Sequence, residues 1–370
     1  MQYRPLGNTG LSVSSLGFGA MRLPEDPDYA VKVMQRSLDL GVNLIDTAPG
    51  YCQENSERLV GRALAGRREP VVVSTKYRAT TNSTKDLRHS LETSLKDLGV
   101  NQIDIFNFWG VRWQMFEEII RDGPLAAARR AQSEGLFKHL GFSFHDSPEA
   151  LENLINTGEF KTMIVQYNLL DRSNEKALTL ARQKGMGVMV MGPVGGGRLT
   201  APSDRIRTLV SGGFHTTPEA ALRFVLANPH VSTALSGMNT LLMVEENVQH
   251  ASYPEPLTQE QRKQLDELLM DLARLAELYC TGCGYCLPCE QDVNIPEVFR
   301  LANLVRVWDL KEHAVGQYAN LGQEGARTPG RGATACSQCG ACEERCPQDI
   351  QIIEQLKEAH RLLTATNGVL

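Results

Sequence analysis

Val71-Val72-Val73-Ser74-Thr75 is a short apolar run that ends in polar residues, and similar runs recur over about the first 250 residues. Each run is rich in Val, Ile, Leu, Phe or Met and is followed by polar or glycine residues, a pattern typical of buried strands. The predicted strands are 16–20, 42–46, 71–75, 103–109, 138–143, 162–166, 187–191 and 231–236.

Amphipathic segments separate these strands. Between Leu87 and Leu98, leucines recur every three or four residues, which places them on one face of a helix that Gly99 ends. Another helix is predicted to begin at Ser147-Pro148, a cap residue followed by proline. Eight strands alternating with eight helices over about 250 residues predict an α/β protein with a (β/α)8 barrel. A doubly wound sheet of the same elements is the alternative.

Prolines and cysteines indicate the domain boundaries. A hairpin over 3–14, turning at Gly7-Asn8-Thr9-Gly10, is predicted to precede the first barrel strand. The barrel domain is expected to span 1–255 and to end near Tyr253-Pro254-Glu255-Pro256. A connecting helix over 256–278, a cysteine-rich domain over 279–350 and a C-terminal helix and tail over 351–370 complete the prediction.

Composition excludes several classes of protein. The chain has 370 residues, 42% of them hydrophobic and 22% charged, which is typical of a globular protein. A net charge of −5 gives no electrostatic footprint for nucleic acid or an anionic membrane, so neither is an expected partner. No apolar run reaches the ~20 residues that span a bilayer, and the first residues lack the apolar core of a signal peptide. We therefore expect a cytoplasmic protein.

Eight of the nine cysteines fall within residues 280–346. In a protein without an export signal such cysteines are expected to bind metal rather than to form disulfides. Three thiolates at successive x2 spacing favour a [4Fe–4S] cubane, whereas zinc ribbons use separated pairs. Two clusters are therefore predicted, with zinc as the alternative, and the ligands are Cys280, Cys283, Cys286, Cys289, Cys336, Cys339, Cys342 and Cys346.

The second cysteine run, which ends at Cys346-Pro347, resembles the bacterial ferredoxin pattern. The resemblance implies that the fourth cysteines cross over, so that Cys346 completes the first cluster and Cys289 the second. The first run departs from that pattern, with x2 before its last cysteine and Glu290 where proline is usual. The 46 residues between the runs begin a helix at Ile295-Pro296, which resembles the mostly α-helical ferredoxin-like domains of respiratory iron–sulfur subunits.

The predicted strand ends carry motifs in a fixed order. Asn43-Leu44-Ile45-Asp46-Thr47-Ala48-Pro49-Gly50-Tyr51 resembles the aldo/keto reductase signature, and Val73-Ser74-Thr75-Lys76 resembles the third strand of that family. The resemblance continues through Gly141–His145, Gln166-Tyr167-Asn168, Met191–Gly197 and Ser236-Gly237-Met238. It covers essentially residues 1–250 and implies a barrel that uses NADP or NAD to reduce a small carbonyl or to oxidise an alcohol.

Carbonyl reduction needs a proton donor beside the developing alkoxide. A tyrosine of ordinary pKa, about 10, is a weak acid unless an ammonium group stabilises its phenolate and lowers that pKa. Tyr51, Lys76 and Asp46 are the predicted acid, ammonium and orienting carboxylate. Where the family usually has histidine after the fourth strand, this chain has Trp109, which can donate only its indole N–H. His145, after the fifth strand, is the nearest replacement.

The resemblance also implies the nicotinamide-binding residues. Ser143 and Gln166 would bind the carboxamide. The predicted phosphate-binding loop and the residues of the last strand and helix would hold the rest of the dinucleotide: Gly192, Pro193, Gly195, Gly197, Arg198, Ser236, Gly237, Met238, Glu246 and Asn247. Met191 stands where many members have tyrosine. Segment 236–247 lacks the arginine or lysine that often grips a 2′-phosphate, so the choice between NADPH and NADH stays open.

Two functions therefore follow. The first is an aldo/keto reductase-type oxidoreductase coupled to, or stabilised by, two [4Fe–4S] clusters. The alternative is an iron–sulfur electron-transfer or redox-sensing protein whose barrel no longer reduces carbonyls. A nicotinamide transfers two electrons as hydride and each cluster one, so a redox partner protein is a possible further partner.

Overall fold

The computed structural model describes the chain except for residues 68–69, 82, 201, 210–212, 254–256, 278–279, 281–283, 285, 327, 347–349 and 366–370. For residues 198, 259 and 272–277 it describes the backbone alone. Two compact units divide the chain: Met1–Gly196 with Ala221–Leu257, and Gly197–Ala220 with Thr258–Leu370.

The first unit is a closed barrel of eight parallel strands in chain order, which confirms the predicted (β/α)8 fold. Two strands match their predicted bounds, and the others shift at their ends. The strands are β3 (Leu16–Gly19), β4 (Leu44–Asp46), β5 (Val72–Tyr77), β6 (Ile103–Val111), β7 (Phe137–Phe144), β8 (Thr162–Gln166), β9 (Gly187–Met191) and β10 (Thr233–Ser236). The longest, β6, passes beyond Trp109 because its pairing with β7 shifts register and resumes at Val111.

The predicted hairpin is formed by β1 (Tyr3–Pro5) and β2 (Ser12–Ser14). Its Leu6 and Val13 are fully buried with side chains from the beginnings and middles of the barrel strands: Leu44, Val72, Ile105, Ile164, Met189 and Leu235. Apolar packing thus fills the barrel interior on the hairpin side. The opposite end, where the strands terminate, is left for polar residues.

Helices connect the barrel strands as the amphipathic segments predict. Ser147 caps the helix that begins at Pro148 by accepting the Ala150 N–H, and Gly99 ends the helix that begins at Thr84 in the left-handed conformation, φ 66°. The helices are α1 (Pro27–Asp39), α2 (Ser56–Leu64), α3 (Thr84–Leu98), α4 (Trp113–Met115), α5 (Pro124–Ser133), α6 (Pro148–Asn156), α7 (Glu175–Gln183), α8 (Asp204–Arg207), α9 (Thr217–Ala227) and α10 (Leu241–Ala251).

The second unit is helical. Besides α8, it contains α11 (Gln259–Glu277), α12 (Ile295–Arg306), α13 (Lys311–Ala319), α14 (Ala341–Glu344) and α15 (Ile352–Thr364). Helix α12 packs against α13 and α15. A parallel bridge between Val293 and Arg331 brings together the segment after Cys289 and the segment before Cys336. No helix in the described ranges is long and apolar enough to cross a membrane.

Residues 197–220 belong with the second unit, although the sequence predicts them inside a barrel domain of 1–255. Hydrogen bonds explain this grouping. The Ser203 hydroxyl donates to the Trp308 carbonyl at 2.9 Å, and the Arg205 guanidinium donates to the Arg306 carbonyl at 3.1 Å. Contacts over about a hundred residues of sequence cannot be read from local patterns.

Candidate active site

The predicted catalytic residues meet at the carboxyl ends of β4 and β5. Asp46 is the last residue of β4, and Lys76 lies near the end of β5, next to it in the sheet. The Lys76 ammonium donates to Asp46 Oδ2 at 2.5 Å and to the Thr47 carbonyl at 2.7 Å. Only 2% of the Lys76 side chain and 7% of the Asp46 side chain are exposed. The pair is therefore a desolvated ion pair held inside the barrel end.

Polar neighbours fix the orientation of Asp46. The Ser74 hydroxyl donates to Asp46 Oδ1 at 2.7 Å, and the Asn107 amide donates to Ser74 Oγ at 3.0 Å. Asn107 also donates to the Thr75 carbonyl at 3.1 Å. Asp46 therefore accepts hydrogen bonds at both oxygens, as a buried carboxylate requires. Sequence reasoning did not assign roles to Ser74 and Asn107, although strand alternation points both residues inward.

Tyr51 lies in the turn after β4, with its ring centre 4.8 Å from Lys76 Nζ. The next three residues, Cys52, Gln53 and Glu54, all have left-handed backbone angles, with φ of 51°, 54° and 66°. Such angles are unfavourable for residues with side chains, so the surrounding structure must hold this turn. The Cys52 thiol contributes weak hydrogen bonds to the carbonyls of Ala20 and Met21, both at 3.6 Å.

The Tyr51 pKa is raised rather than lowered, contrary to the expectation from the sequence. Burial raises the pKa of Tyr51, and this effect outweighs the opposing charge of Lys76, while Asp46 adds to the rise. Burial acts to lower the pKa of Lys76, but Asp46 and Tyr51 together raise it above the ordinary value. Both groups hence keep their protons at neutral pH, which suits a tyrosine that has to donate one.

Trp109 takes the place expected for histidine. Its ring meets the Tyr51 ring edge-on, with centroids 5.3 Å apart and planes at 85°. A Cβ at Gly50 would lie 3.1 Å from the indole, so glycine makes room for this ring. Trp109 also contacts Arg78, whose guanidinium lies 4.9 Å from the centre of the indole ring. His145, the suggested replacement, is exposed after β7.

The proposed carboxamide-binding residues lie at adjacent strand ends. Ser143 is buried in β7, where its hydroxyl oxygen accepts the Gly110 N–H at 2.8 Å, which leaves its own proton to donate. Gln166 is the last residue of β8. Its amide oxygen lies close to Gly192, 3.3 Å from the position that a Cβ added to this glycine would occupy. Asn168, quoted in the sequence only as part of a motif, donates to the Gly192 carbonyl at 3.0 Å and is fully buried. It anchors the start of the glycine loop.

The glycine loop after β9 has left-handed backbone angles at Gly192, Gly195, Gly196 and Gly197, with φ of 62°, 62°, 68° and 100°. Glycine adopts these angles without strain, and a loop with few side chains lets backbone N–H groups approach a phosphate. Pro193 is buried in this loop. The Arg22 guanidinium donates to the Gly196 carbonyl at 3.1 Å, which places a cation that sequence reasoning missed beside the loop. Gly197 and Arg198 group with the second unit, and the Arg198 side chain lies outside the described part.

The last strand and helix of the barrel hold the remaining predicted residues. Asn247 in α10 donates to Ser236 Oγ at 3.2 Å and so links the helix to the end of β10. Gly237 and Glu246 are exposed, whereas Met238 is fully buried and its side chain belongs to the core. The exposed glycine backbone is therefore the part of this turn that a ligand can reach.

The second cysteine run has a local form that suits a cluster. The Gln338 N–H points at Cys336 Sγ at 3.4 Å, and left-handed angles at Gln338 and Gly340 curve the chain around the thiols. N–H groups directed at sulfur stabilise cluster thiolates. Within the described ranges, no three thiol, carboxyl or imidazole groups are placed to hold a single metal ion. A cubane does not need such a group, because each thiolate binds a different iron atom. Cys283 and the segment 347–349 lie outside the described residues.

Comparison with known proteins gives two sequence families. Residues 15–270 match the aldo/keto reductase family, and residues 279–351 match the 4Fe-4S dicluster domain. An L-galactose dehydrogenase of Arabidopsis thaliana is 28% identical over 293 residues, covering 70% of this chain and 91% of that protein. An NADH-specific methylglyoxal reductase of Escherichia coli is 28% identical over 307 residues, covering 67% and 93%.

A solved structure agrees with these matches. An aldo-keto reductase of Bacillus halodurans, in its holo form, superposes with a TM-score of 0.65 at 28% sequence identity. The match covers 72% of this chain and 96% of that one. The similarity thus spans the barrel, and the cysteine-rich part is matched by the dicluster family.

Proposed function

The chain belongs to the aldo/keto reductase family, and we propose that it is a nicotinamide-dependent oxidoreductase that reduces a small carbonyl compound or oxidises the corresponding alcohol. The observation that carries the proposal is the buried Lys76–Asp46 ion pair beside the Tyr51 ring. Burying two charges is costly unless both are paired. An ion pair kept next to a tyrosine at the strand ends of a barrel suits acid catalysis better than a purely structural role.

In the reducing direction, reduced nicotinamide held at this site would supply a hydride, and with it two electrons, for the carbonyl carbon. Tyr51 gives its hydroxyl proton to the carbonyl oxygen, so that an alcohol forms. The Lys76 ammonium stabilises the resulting phenolate, which regains a proton from solvent. Asp46 holds Lys76 in place and keeps it charged. Trp109 narrows the space above Tyr51, where the family usually has a histidine.

For nicotinamide binding, we propose that Ser143 and Gln166 hold the carboxamide. Ser143 retains a hydroxyl proton after accepting the Gly110 N–H, and a carboxamide oxygen can accept it. The backbone N–H group of Gly196, with the Arg22 cation beside it, would bind phosphate. The exposed Gly237 turn, braced by the Ser236–Asn247 hydrogen bond, would support the adenosine part.

In the C-terminal domain, we propose that the eight cysteines hold two [4Fe–4S] clusters. Cys280, Cys283, Cys286 and Cys346 would bind one, and Cys336, Cys339, Cys342 and Cys289 the other. The bridge between Val293 and Arg331 supports this exchange, since it joins the two cysteine segments. Clusters transfer single electrons, so a separate redox partner protein would exchange electrons with them.

One observation favours a second function, iron–sulfur electron transfer or sensing without carbonyl reduction. The indole of Trp109 occupies the site of the usual histidine and packs on Gly50 and Tyr51. A barrel that had lost carbonyl reduction could keep its fold with such a change. Anaerobic titration with NADH and NADPH, followed by visible absorbance and EPR, tests whether nicotinamide reduces the clusters at all.

The decisive variant is Tyr51→Phe, assayed as carbonyl-dependent oxidation of NADPH and of NADH by the anaerobically purified full chain. We expect turnover to fall by about 10²–10⁴-fold, the usual contribution of general acid catalysis. Nucleotide affinity should persist, because the change removes only the hydroxyl and keeps the ring. The control is Tyr3→Phe, whose ring is 52% exposed on the hairpin side. Equal turnover in wild type and Tyr51→Phe would refute the proposed acid.

A further inference from the structure

Arg78 places a positive charge at the mouth of the proposed active site. It follows the last residue of β5 and is exposed, two residues after Lys76. Its guanidinium lies over the Trp109 ring, whose edge-on partner is Tyr51. The same indole therefore contacts both this cation and the proposed proton donor.

The charge of Arg78 has no acidic partner in the described part of the chain, where no ion pair includes it. Arg121 makes a useful contrast, because it also lies over aromatic rings, 5.9 Å from the Trp113 centre, yet pairs with Glu117 at 3.2 Å. An arginine stacked on a ring keeps the N–H groups at its edge free for a second partner. Those groups fit a carboxylate in a bidentate arrangement.

We propose that the substrate carries a carboxylate, which Arg78 binds while the carbonyl lies at Tyr51. The inference rests on the proposed carbonyl reduction and adds the class of substrate. Stacking on Trp109 holds the guanidinium in place before binding, so little side-chain entropy is lost when the carboxylate arrives. A single stacked arginine matches the single negative charge of a carboxylate.

The test compares two aldehydes of the same shape, 4-carboxybenzaldehyde and 4-formylbenzamide. Both carry the carbonyl and the second group at opposite ends of one aromatic ring, and they differ only in the charge of the second group. We expect wild type to prefer the acid, and Arg78→Gln to reduce the acid-to-amide ratio of kcat/KM by about tenfold to a hundredfold. Arg78→Lys should recover part of the ratio, since it keeps the charge without the planar fork.

Arg121→Gln is the matched control, because it removes an arginine that is also stacked on aromatic rings but is paired with Glu117. The acid-to-amide ratio of kcat/KM in Arg121→Gln should equal that of wild type. The same acid-to-amide ratio in wild type and Arg78→Gln would overturn the proposal while leaving the reductase intact. Reduction of neither aldehyde by wild type would instead count against the proposed function.

A binding measurement tests the role of Arg78 even when wild type reduces neither aldehyde. Benzoate and benzamide are titrated into the full chain with NADP⁺, and tryptophan fluorescence is recorded, with Trp109→Phe identifying the signal. Benzoate should bind wild type at least about tenfold more tightly than Arg78→Gln, and benzamide should show no such difference. Equal benzoate affinity would overturn the proposal. Phenyl phosphate bound more tightly than benzoate, with the same dependence on Arg78, would overturn the choice of a carboxylate.

Discussion

Lys76→Met removes one partner of the buried ion pair and keeps a side chain of similar length. The variant lacks the hydrogen bonds that Lys76 donates to Asp46 Oδ2 at 2.5 Å and to the Thr47 carbonyl at 2.7 Å, and the Asp46 charge stays buried. Removing one member of a buried pair usually costs about 3–5 kcal/mol, because the other charge is left without compensation. We expect the free energy of unfolding of the barrel to fall by that amount.

The assay is hydrogen exchange measured by mass spectrometry across a urea series, in peptides that cover β4 and β5. It reports on the barrel separately from the cysteine-rich unit. The control is Arg36→Met, since Arg36 pairs with Glu245 at 3.0 Å and the two side chains are 42% and 51% exposed. An exposed pair is worth about 0–1 kcal/mol.

The double variant Lys76→Met/Asp46→Asn examines the cause of the loss. If the uncompensated charge dominates, replacing it with an amide should recover part of the stability that Lys76→Met loses. A loss below about 1 kcal/mol in Lys76→Met would contradict the cost of an uncompensated buried charge at Asp46. A double variant less stable than Lys76→Met would refute it too.

Three further predictions follow from the geometry. The pKa of Lys76 is raised in the folded state, so its contribution to the free energy of unfolding is complete below the ordinary lysine pKa, about 10.4, and is lost as pH rises through the folded pKa. Urea titrations should therefore show a steeper alkaline decline in unfolding free energy for wild type than for Lys76→Met. Gly141→Ala should cost about 1–3 kcal/mol of unfolding free energy, since a Cβ there would clash with Thr162 Oγ1 and Asn107 Oδ1, whereas Gly316→Ala in α13 meets no neighbouring atom and should be neutral or stabilising. Cys339→Ala should lower iron, measured by metal analysis after anaerobic purification, from about eight to about four atoms per chain, and stoichiometric zinc without labile sulfide would contradict the cluster prediction.

Local sequence patterns predicted the barrel and the residues at its strand ends. The strands 162–166 and 187–191 are bounded by turn residues, and the structure gives them the same limits. The positions of Asp46 and Lys76 follow from adjacent parallel strands, whose carboxyl ends meet at one edge. Chain order and alternation are sufficient for these features.

Other features depend on contacts that no local pattern encodes. Nothing in Cys52-Gln53-Glu54 signals three left-handed residues in succession, because none of them is glycine. The stacking of Arg78 on Trp109 joins side chains from two different strand ends. The raised pKa of Tyr51 depends on how deeply its ring is buried, which only the folded chain determines. Residues 197–220 join the second unit through Ser203 and Arg205, which reach partners far along the chain.

The most direct measurement of the central claim is transfer of deuterium from nicotinamide to a carbonyl carbon. NADPH and NADH, each labelled with deuterium at C4 of the nicotinamide in both stereochemical forms, are incubated anaerobically with the full chain and 4-carboxybenzaldehyde. We expect one stereochemical form to deliver deuterium to the benzylic carbon of the alcohol, and Tyr51→Phe to nearly abolish this transfer. An alcohol that forms without deuterium from either labelled form, or no alcohol at all, would contradict hydride transfer in this barrel.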